Sequence, residues 1–295
     1  MDYSVTVLTP TYNRKDKLQN LFISLCNQDS FNFIWLVIDD GSTDDTESWI
    51  ASIKESAPFC IKYFKKPNGG KHTALNIGFR MSESYLTFIV DSDDILTSNA
   101  ISLIISTIPE IKKNNLCGVS FLRGYDESSC IGKEFLHKHF ISNYIKVRIK
   151  DNISGDKAEA WRTDILSKYS FPTFENEKFL SESYLWKRIA LDYDMLYINR
   201  IIYITRYLDG GLTNSGKPLR ISNPCGGMAC NIIGTIRIFP LKYRIKSGIL
   251  FNMYYFFAGE KKYSILNDGD SFICFLTKIP GYLLYKLWDK KYKKQ

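Results

Sequence analysis

The sequence predicts an α/β fold: a doubly wound, mostly parallel sheet flanked by helices, with a C-terminal helical appendage. Three observations carry this. Short β-branched and aromatic runs alternate with amphipathic stretches through about residue 125, the pattern of a parallel sheet with crossover helices. The first four apolar runs each end on, or lead into, a polar cluster, at the strand ends where open α/β sheets bind ligands. The length of 295 residues, with 45% apolar and 24% charged side chains, allows one large domain or one with a smaller appendage, and leaves no room for long disorder.

Residues 4–8 form the first strand. The stretch Thr9-Pro10-Thr11-Tyr12-Asn13 stops it, because proline lacks a backbone donor and asparagine suits a turn. A helix follows over about 15–27, with Leu18, Leu21, Phe22 and Leu25 on one face. Residues 33–38 are the second strand and end on Asp39-Asp40-Gly41-Ser42; Ser42 or Thr43 caps the next helix. Residues 60–64 are the third strand, leading through Pro67-Asn68-Gly69-Gly70-Lys71 to a helix over 72–81. The fourth strand, 85–90, ends on Asp91-Ser92-Asp93-Asp94. A helix over 98–111 and a strand over 118–122 complete the alternation. Residues 126–160 read as an insertion with a helix or two, 182–191 as a helix, and 206–223 as a Gly-, Asn- and Pro-rich loop. From about Pro240 aromatic and basic residues mix in helical fashion.

Three carboxylates within Asp91–Asp94 cannot continue into a core, because burying unpaired charge costs too much. They must meet solvent, cations or a metal, and crowded hard oxygens suit Mg²⁺ or Mn²⁺. No GxGxxG follows the first strand and no GxxxxGK[ST] occurs, which disfavours a dinucleotide fold and a P-loop. The seven cysteines are odd in number and include no CxxC, and the three histidines are scattered. They read as reduced thiols of a cytosolic protein rather than a zinc site.

Four stretches taken together carry a likeness. They are Val5–Arg14, Asp39–Asp44, Gly69-Gly70-Lys71 with Ala74–Gly78, and Asp91–Asp94. In this order, at strand ends, they resemble the family-2 glycosyltransferases of the GT-A fold, over about residues 3–215. The resemblance implies a catalytic domain over 1–215; residues 216–295 lie outside it and read, from their mixed aromatic and basic residues, as a helical, basic segment. It implies transfer of a sugar, with inversion, from a nucleotide-sugar donor to a glycan or lipid-linked acceptor in cell-surface polysaccharide synthesis.

The donor side then follows. Pro10, Tyr12, Asp39, Asp40, Lys71, Ser92 and Asp94 are expected around the donor. Tyr12 stacks on the base, Asp40 accepts from a uracil imide, Asp39 from the ribose, and Lys71 meets the diphosphate. Asp91 and Asp93 hold Mn²⁺ or Mg²⁺, with Asp94 behind them. The uracil preference comes with the resemblance, so GDP- and dTDP-sugars stay open. The structural alternatives are a packed Tyr12, Asp39 or Asp40 as helix caps, and a solvated Lys71; His72 reads as a helix-start residue rather than a ligand.

In the family a carboxylate serves as general base ahead of a Trp-x-Arg pattern. Here Trp186 and Arg188 place Glu182 where many members have Asp, and Ser181 where they have Glu. The helix dipole alone also favours a carboxylate at Glu182. The stretch 155–164 resembles the acceptor-facing segment of surface-polysaccharide enzymes, so Asp156 and Trp161 are expected at the acceptor or in the framework. Arg206-Tyr207 and the 210–214 loop are expected as a lid.

The formal net charge is +8, and the C-terminus is lysine-rich. Such a tail suits an anionic partner or simply stays solvated. A membrane surface is the expected partner; no nucleic acid is. Ile249, Phe251, Met253, Tyr254, Phe256 and Phe257, beside Lys261 and Lys262, are the residues expected to meet it. Packing on the catalytic domain or in a homodimer is the alternative. No signal peptide or spanning stretch is read, which predicts a cytoplasmic protein able to sit at the inner face of the cell membrane. Two competing functions remain: a non-catalytic module binding sugar nucleotides or glycans, and a sugar nucleotidyltransferase. The latter would need a Gly-rich loop after strand one, which Thr9–Arg14 lacks.

Overall fold

The computed structural model describes residues 3–205, 216–259 and 269–292. These group into two compact units. The first holds residues 3–170 and 192–205; the second holds 171–191, 216–259 and 269–292. The helix at 183–189, expected within the catalytic segment, thus packs with the later helices. Arg206-Tyr207 and the 210–214 loop lie outside the described residues.

The first unit is built on a nine-stranded sheet. Its strands are β1 (Val5–Thr11), β2 (Phe33–Asp39), β3 (Cys60–Lys65), β4 (Leu86–Ile89), β5 (Ile95–Leu96), β6 (Gly118–Gly124), β7 (His139–Ser142), β8 (Lys157–Arg162) and β9 (Met195–Ile204). Their order is β3-β2-β1-β4-β8-β6-β9-β5, with β7 on β9. Helices α1 (Lys15–Cys26), α2 (Thr46–Ile53), α3 (Lys71–Met81), α4 (Ala100–Ser106), α5 (Ile108–Lys113) and the one-turn α6 (Thr163–Leu166) flank it, with a π-helix over Ile145–Lys150. The core joins Val5, Val7, Trp35, Val37 and Phe88 of the sheet to Leu18, Leu21, Leu25, Ile101 and Ile104 of the helices.

The half β3-β2-β1-β4 is parallel, as the alternation predicts. Beyond it β8 enters antiparallel between β4 and β6. The sequence places the start of this strand in an insertion. Its sequence, Lys-Ala-Glu-Ala-Trp-Arg, has little β propensity, and its place comes from pairing on both sides. β9 was also not foreseen. It pairs parallel with β6 and antiparallel with β7 and β5.

Two boundaries differ for local reasons. β1 runs through Pro10 to Thr11. Leu8 O accepts from Val90 N on the β4 side, and Thr11 O accepts from Asp40 N on the β2 side. By alternation Pro10 faces the β4 side, past the last β4 pair at Leu8, so its missing N–H breaks no ladder. The helix expected over 98–111 is two helices, because Pro109 stands in the first turn of α5 and cannot continue the preceding one.

The second unit is helical: α7 (Ser183–Ile189), α8 (Gly216–Ile221), α9 (Pro224–Ile232), a 3₁₀ turn Ile233–Thr235, α10 (Leu241–Ala258), α11 (Ser271–Leu276) and α12 (Lys278–Tyr292). Among the described residues no helix is long and apolar enough to cross a membrane. All seven cysteines are free thiols.

The residues expected to face a membrane are not a surface. Phe251, Met253 and Tyr254 are buried among the helices, Ile249, Phe256 and Phe257 are half-buried, and Lys261 and Lys262 lie outside the described residues. On α11 and α12 it is Phe272, Phe275, Leu276, Ile279, Leu283 and Leu287 that are exposed, beside Leu241 and Ile245 of α10.

Candidate active site

Because β1, β2, β3 and β4 are adjacent and parallel, their carboxyl ends share one edge of the sheet. That edge gathers Tyr12 after β1, Asp39 and Asp40 at the end of β2, the 66–70 loop after β3, and Asp91–Asp94 after β4. Tyr12 is 46% exposed, which removes the packed-core alternative. The turn beneath it is held by Asn13, whose φ of 50° is left-handed. Its N–H donates to Ser42 Oγ at 2.8 Å and its Oδ1 accepts from Thr43 N at 2.7 Å.

Asp39 and Asp40 are committed internally. Asp39, fully buried, accepts from Ser42 N at 2.7 Å and from Tyr63 Oη at 2.6 Å. Asp40 accepts from Asn68 Nδ2, Gly69 N and Gly70 N at 3.1, 2.9 and 2.7 Å, and Lys66 pairs with it. Those four donors fill the carboxylate's acceptor positions. In this conformation Asp40 has no acceptor position left for a base, and Asp39, at 0% exposure, is closed off from a ribose by burial. Both residues instead fix the loops that form the edge. The helix after them starts later than expected, at Thr46 with Asp45 as N-cap, so neither Asp39 nor Asp40 caps it. Gly41 is required where these loops meet: its φ is +87°, and a Cβ there would lie 2.9 Å from Asn68 N and 3.0 Å from Lys66 O.

The acidic turn is interleaved with cations. Lys71, in the first turn of α3, pairs with Asp91. Arg14 pairs with Asp93 at 2.6 Å. Arg123, near the end of β6, lies 3.5 Å from Asp91 and 3.7 Å from Asp94. Its guanidinium sits 4.0 Å over the Tyr203 ring, and its Nε donates to Lys157 O at 2.9 Å. Burial works to raise the Asp91 pKa, but the charges of Lys71 and Arg123 outweigh it and hold the carboxyl at about 2. Asp94 goes the other way, to about 7, through burial and then the charge of Asp91. Ser92 and Pro10 are buried in this edge.

Arg14, Lys66, Arg123 and Tyr203 were given no role from the sequence. Arg123 carried a signal, since a charged residue following the apolar run 118–122 is unusual. Tyr203 had none, because β9 itself was not foreseen.

Among the described residues no group of three or more His, Cys, Asp or Glu side chains is gathered as a metal centre. The donor chemistry still fits a hard cation. Asp91 and Asp93 side chains are 24% and 19% exposed, and Mg²⁺ or Mn²⁺ is commonly held by one or two carboxylates plus substrate phosphates.

Of the acceptor-side residues, Asp156 is exposed just before β8. Trp161 is not accessible: it lies in β8 opposite Thr87 and Gly118, is 1% exposed, and serves the core. Glu182 belongs to the second unit, as N-cap of α7.

The sequence profile of "Glycosyl transferase family 2" matches residues 6–165. A glucosyltransferase of Escherichia coli, "UDP-Glc:alpha-D-GlcNAc-diphosphoundecaprenol beta-1,3-glucosyltransferase WfgD", is 28% identical over 212 residues, 70% of this chain and 77% of that protein. A protein of Rickettsia bellii is 36% identical over 102 residues, 35% of this chain and 14% of that protein. The structure of Staphylococcus aureus TarS 1–349 with UDP-GlcNAc superposes with a TM-score of 0.62 at 16% identity, covering 99% of this chain and 92% of that one. The mannosyltransferase PcManGT of Pyrobaculum calidifontis with GDP-Man and Mn²⁺ gives 0.59 at 16% identity, covering 100% and 89%. These likenesses show the GT-A fold. With the profile match spanning more than half of the sequence and the ordered motifs at the sheet edge, the chain belongs to glycosyl transferase family 2.

Proposed function

We propose that this protein is an inverting, metal-dependent glycosyltransferase. It moves a sugar from a nucleotide-sugar, a UDP-sugar by preference, to a glycan or lipid-linked acceptor of a cell-surface polysaccharide. The observation that supports this most is the alternation of Arg14, Lys71 and Arg123 with Asp91, Asp93 and Asp94 at the sheet edge. The names of the E. coli relative and of the TarS complex support a UDP-sugar and a diphospholipid acceptor.

On this reading Tyr12 stacks on the base. Lys71 and Arg14, tied to carboxylates without ligand, exchange them for phosphate oxygens when the donor arrives. Arg123 and Tyr203 keep Asp91 and Asp94 in place. Asp91 and Asp93 would hold the divalent cation, which supplies Lewis-acid neutralisation of the departing diphosphate. Glu182 takes the proton of the acceptor hydroxyl as its oxygen forms the new bond to the anomeric carbon. The bond to the diphosphate oxygen breaks on the opposite face, its electron pair leaving with the nucleoside diphosphate, and the configuration inverts. Asp156 is kept as an acceptor-side contact. The expected location is the cytoplasmic face of the membrane, which α11 and α12 contact.

Nucleotide release from UDP-sugars, assayed with Mn²⁺ and a diphospholipid-linked sugar, tests this. Glu182→Gln should abolish turnover and keep UDP affinity, and Asp93→Ala should lose cation-dependent donor binding. Full turnover by Glu182→Gln would remove the residue as base. Donor binding without turnover in the unaltered protein, whatever the acceptor, would favour a binding module.

A further inference from the structure

The second unit contains a cavity of about 190 Å³ whose wall carries Lys187, Arg220 and Lys246 and no carboxylate. Lys187 is the informative member. It stands on α7 and is 5% exposed. Its Nζ donates to the Cys230 carbonyl, and among the described residues no carboxylate pairs with it. Burial pulls its pKa down. An ammonium out of water without a counter-ion is costly, and a methionine would fill the same space without that cost. Arg220 and Lys246, both exposed, add two more positive charges. Glu177, beside Gly226, does not offset them. It accepts from Cys225 N and Gly226 N at 2.9 and 2.8 Å and is itself buried.

Three cations around one cavity favour an anion there. The hydroxyls of Ser181 and Ser183, 3.0 Å apart, line the same wall and add neutral donors. The volume equals that of about six liquid waters. That is room for a phosphate or diphosphate. Ser181 and Ser183 are also the chain neighbours of Glu182, so an anion seated here lies beside the residue assigned to the acceptor's proton.

We infer that this cavity is an anion site for the diphosphate of the acceptor, with Lys187, Arg220 and Lys246 as its charge partners. The anion site stands on the charge set alone; only the ligand's source rests on the function proposed above.

The test has two arms. In the first, inorganic pyrophosphate is titrated calorimetrically into the protein saturated with UDP, so that the donor site is filled. The unaltered protein should bind it. Arg220→Gln and Lys246→Gln, exposed and safe for folding, and Lys187→Met should each weaken binding about tenfold, the loss of one charge-assisted contact, with UDP affinity unchanged. No binding at millimolar pyrophosphate, or equal binding by all variants, overturns the site.

In the second arm the KM for farnesyl-diphosphate-linked N-acetylglucosamine is compared with that for the same sugar on a neutral alkyl chain. Lys187→Met should raise the first about tenfold and leave the second and the donor KM unchanged. Variants that lose pyrophosphate but show an unmoved acceptor KM would overturn the acceptor as source and point to a free anion. If no sugar is transferred at all, the function proposed above fails, while the pyrophosphate arm still decides the site.

Discussion

The Tyr203 hydroxyl donates to Asp94 Oδ2 at 2.8 Å and accepts from Asp91 N at 2.9 Å. One buried oxygen thus fixes both ends of the acidic turn from across the sheet. Tyr203→Phe leaves a buried donor and a buried carboxylate short of a partner. It should cost about 1–3 kcal/mol, read as a lower urea midpoint at unchanged slope, and should raise the donor KM. An unshifted midpoint would mean that the turn holds itself.

Asp40→Asn removes the charge that Lys66 meets and one of the two oxygens that bind Gly69 and Gly70. Breaking a buried pair of this kind should destabilise by about 3–5 kcal/mol. The faster amide exchange should be concentrated at residues 66–70. Uniform acceleration across the sheet would show that Asp40 acts on global stability rather than on the loop.

His72 is 2% exposed in the first turn of α3. Burial lowers its pKa from 6.5 to about 4, against the attraction of Asp40. Between these values the unfolded chain binds the proton and the folded one does not. Stability is therefore full above pH 6.5 and falls as the pH drops toward 4, by about 2–3 kcal/mol. Urea midpoints at pH 7.5, 6 and 5 should show this decline, and His72→Gln should flatten it. A parallel decline in the variant would assign the effect to other groups.

Phe272, Phe275, Leu276, Ile279, Leu283 and Leu287 recur at helical spacing along α11 and α12, all more than half exposed. Lys278, Lys286, Lys290 and Lys291 lie on the same helices. Such a surface suits an anionic bilayer. Co-sedimentation with vesicles of anionic lipid should exceed that with neutral vesicles. Phe275→Ser with Ile279→Ser should abolish most of it, at about 1.5–3 kcal/mol per buried side chain. Sedimentation velocity gives the other answer: a dimer that the same double substitution dissolves would make this face a subunit interface.

The parallel half of the sheet was legible because its strands are apolar runs closed by turn residues, and so were the polar ends that form the site. What those ends do to one another was not. Asp39 and Asp40 look like ligand contacts in a motif, yet the oxygens of Asp40 are filled by donors of the 66–70 loop and Asp39 is buried against Ser42 and Tyr63, and spacing along the chain does not report such closure. For Trp161 the sequence left the acceptor and the framework open, and its burial in β8 decides for the framework; β8 is a central strand made of residues with little strand preference. Arg123 and Tyr203 became site residues only through the pairing of β6 with β9.

The position of β8 also bears on how the chain is made. During synthesis β4 is complete at Ile89, but its second neighbour does not begin until Lys157. For that interval the apolar strand Leu86–Ile89 presents an unpaired edge, open to pairing with another nascent chain. Chains truncated before residue 157 should therefore aggregate, however well their four parallel strands are formed.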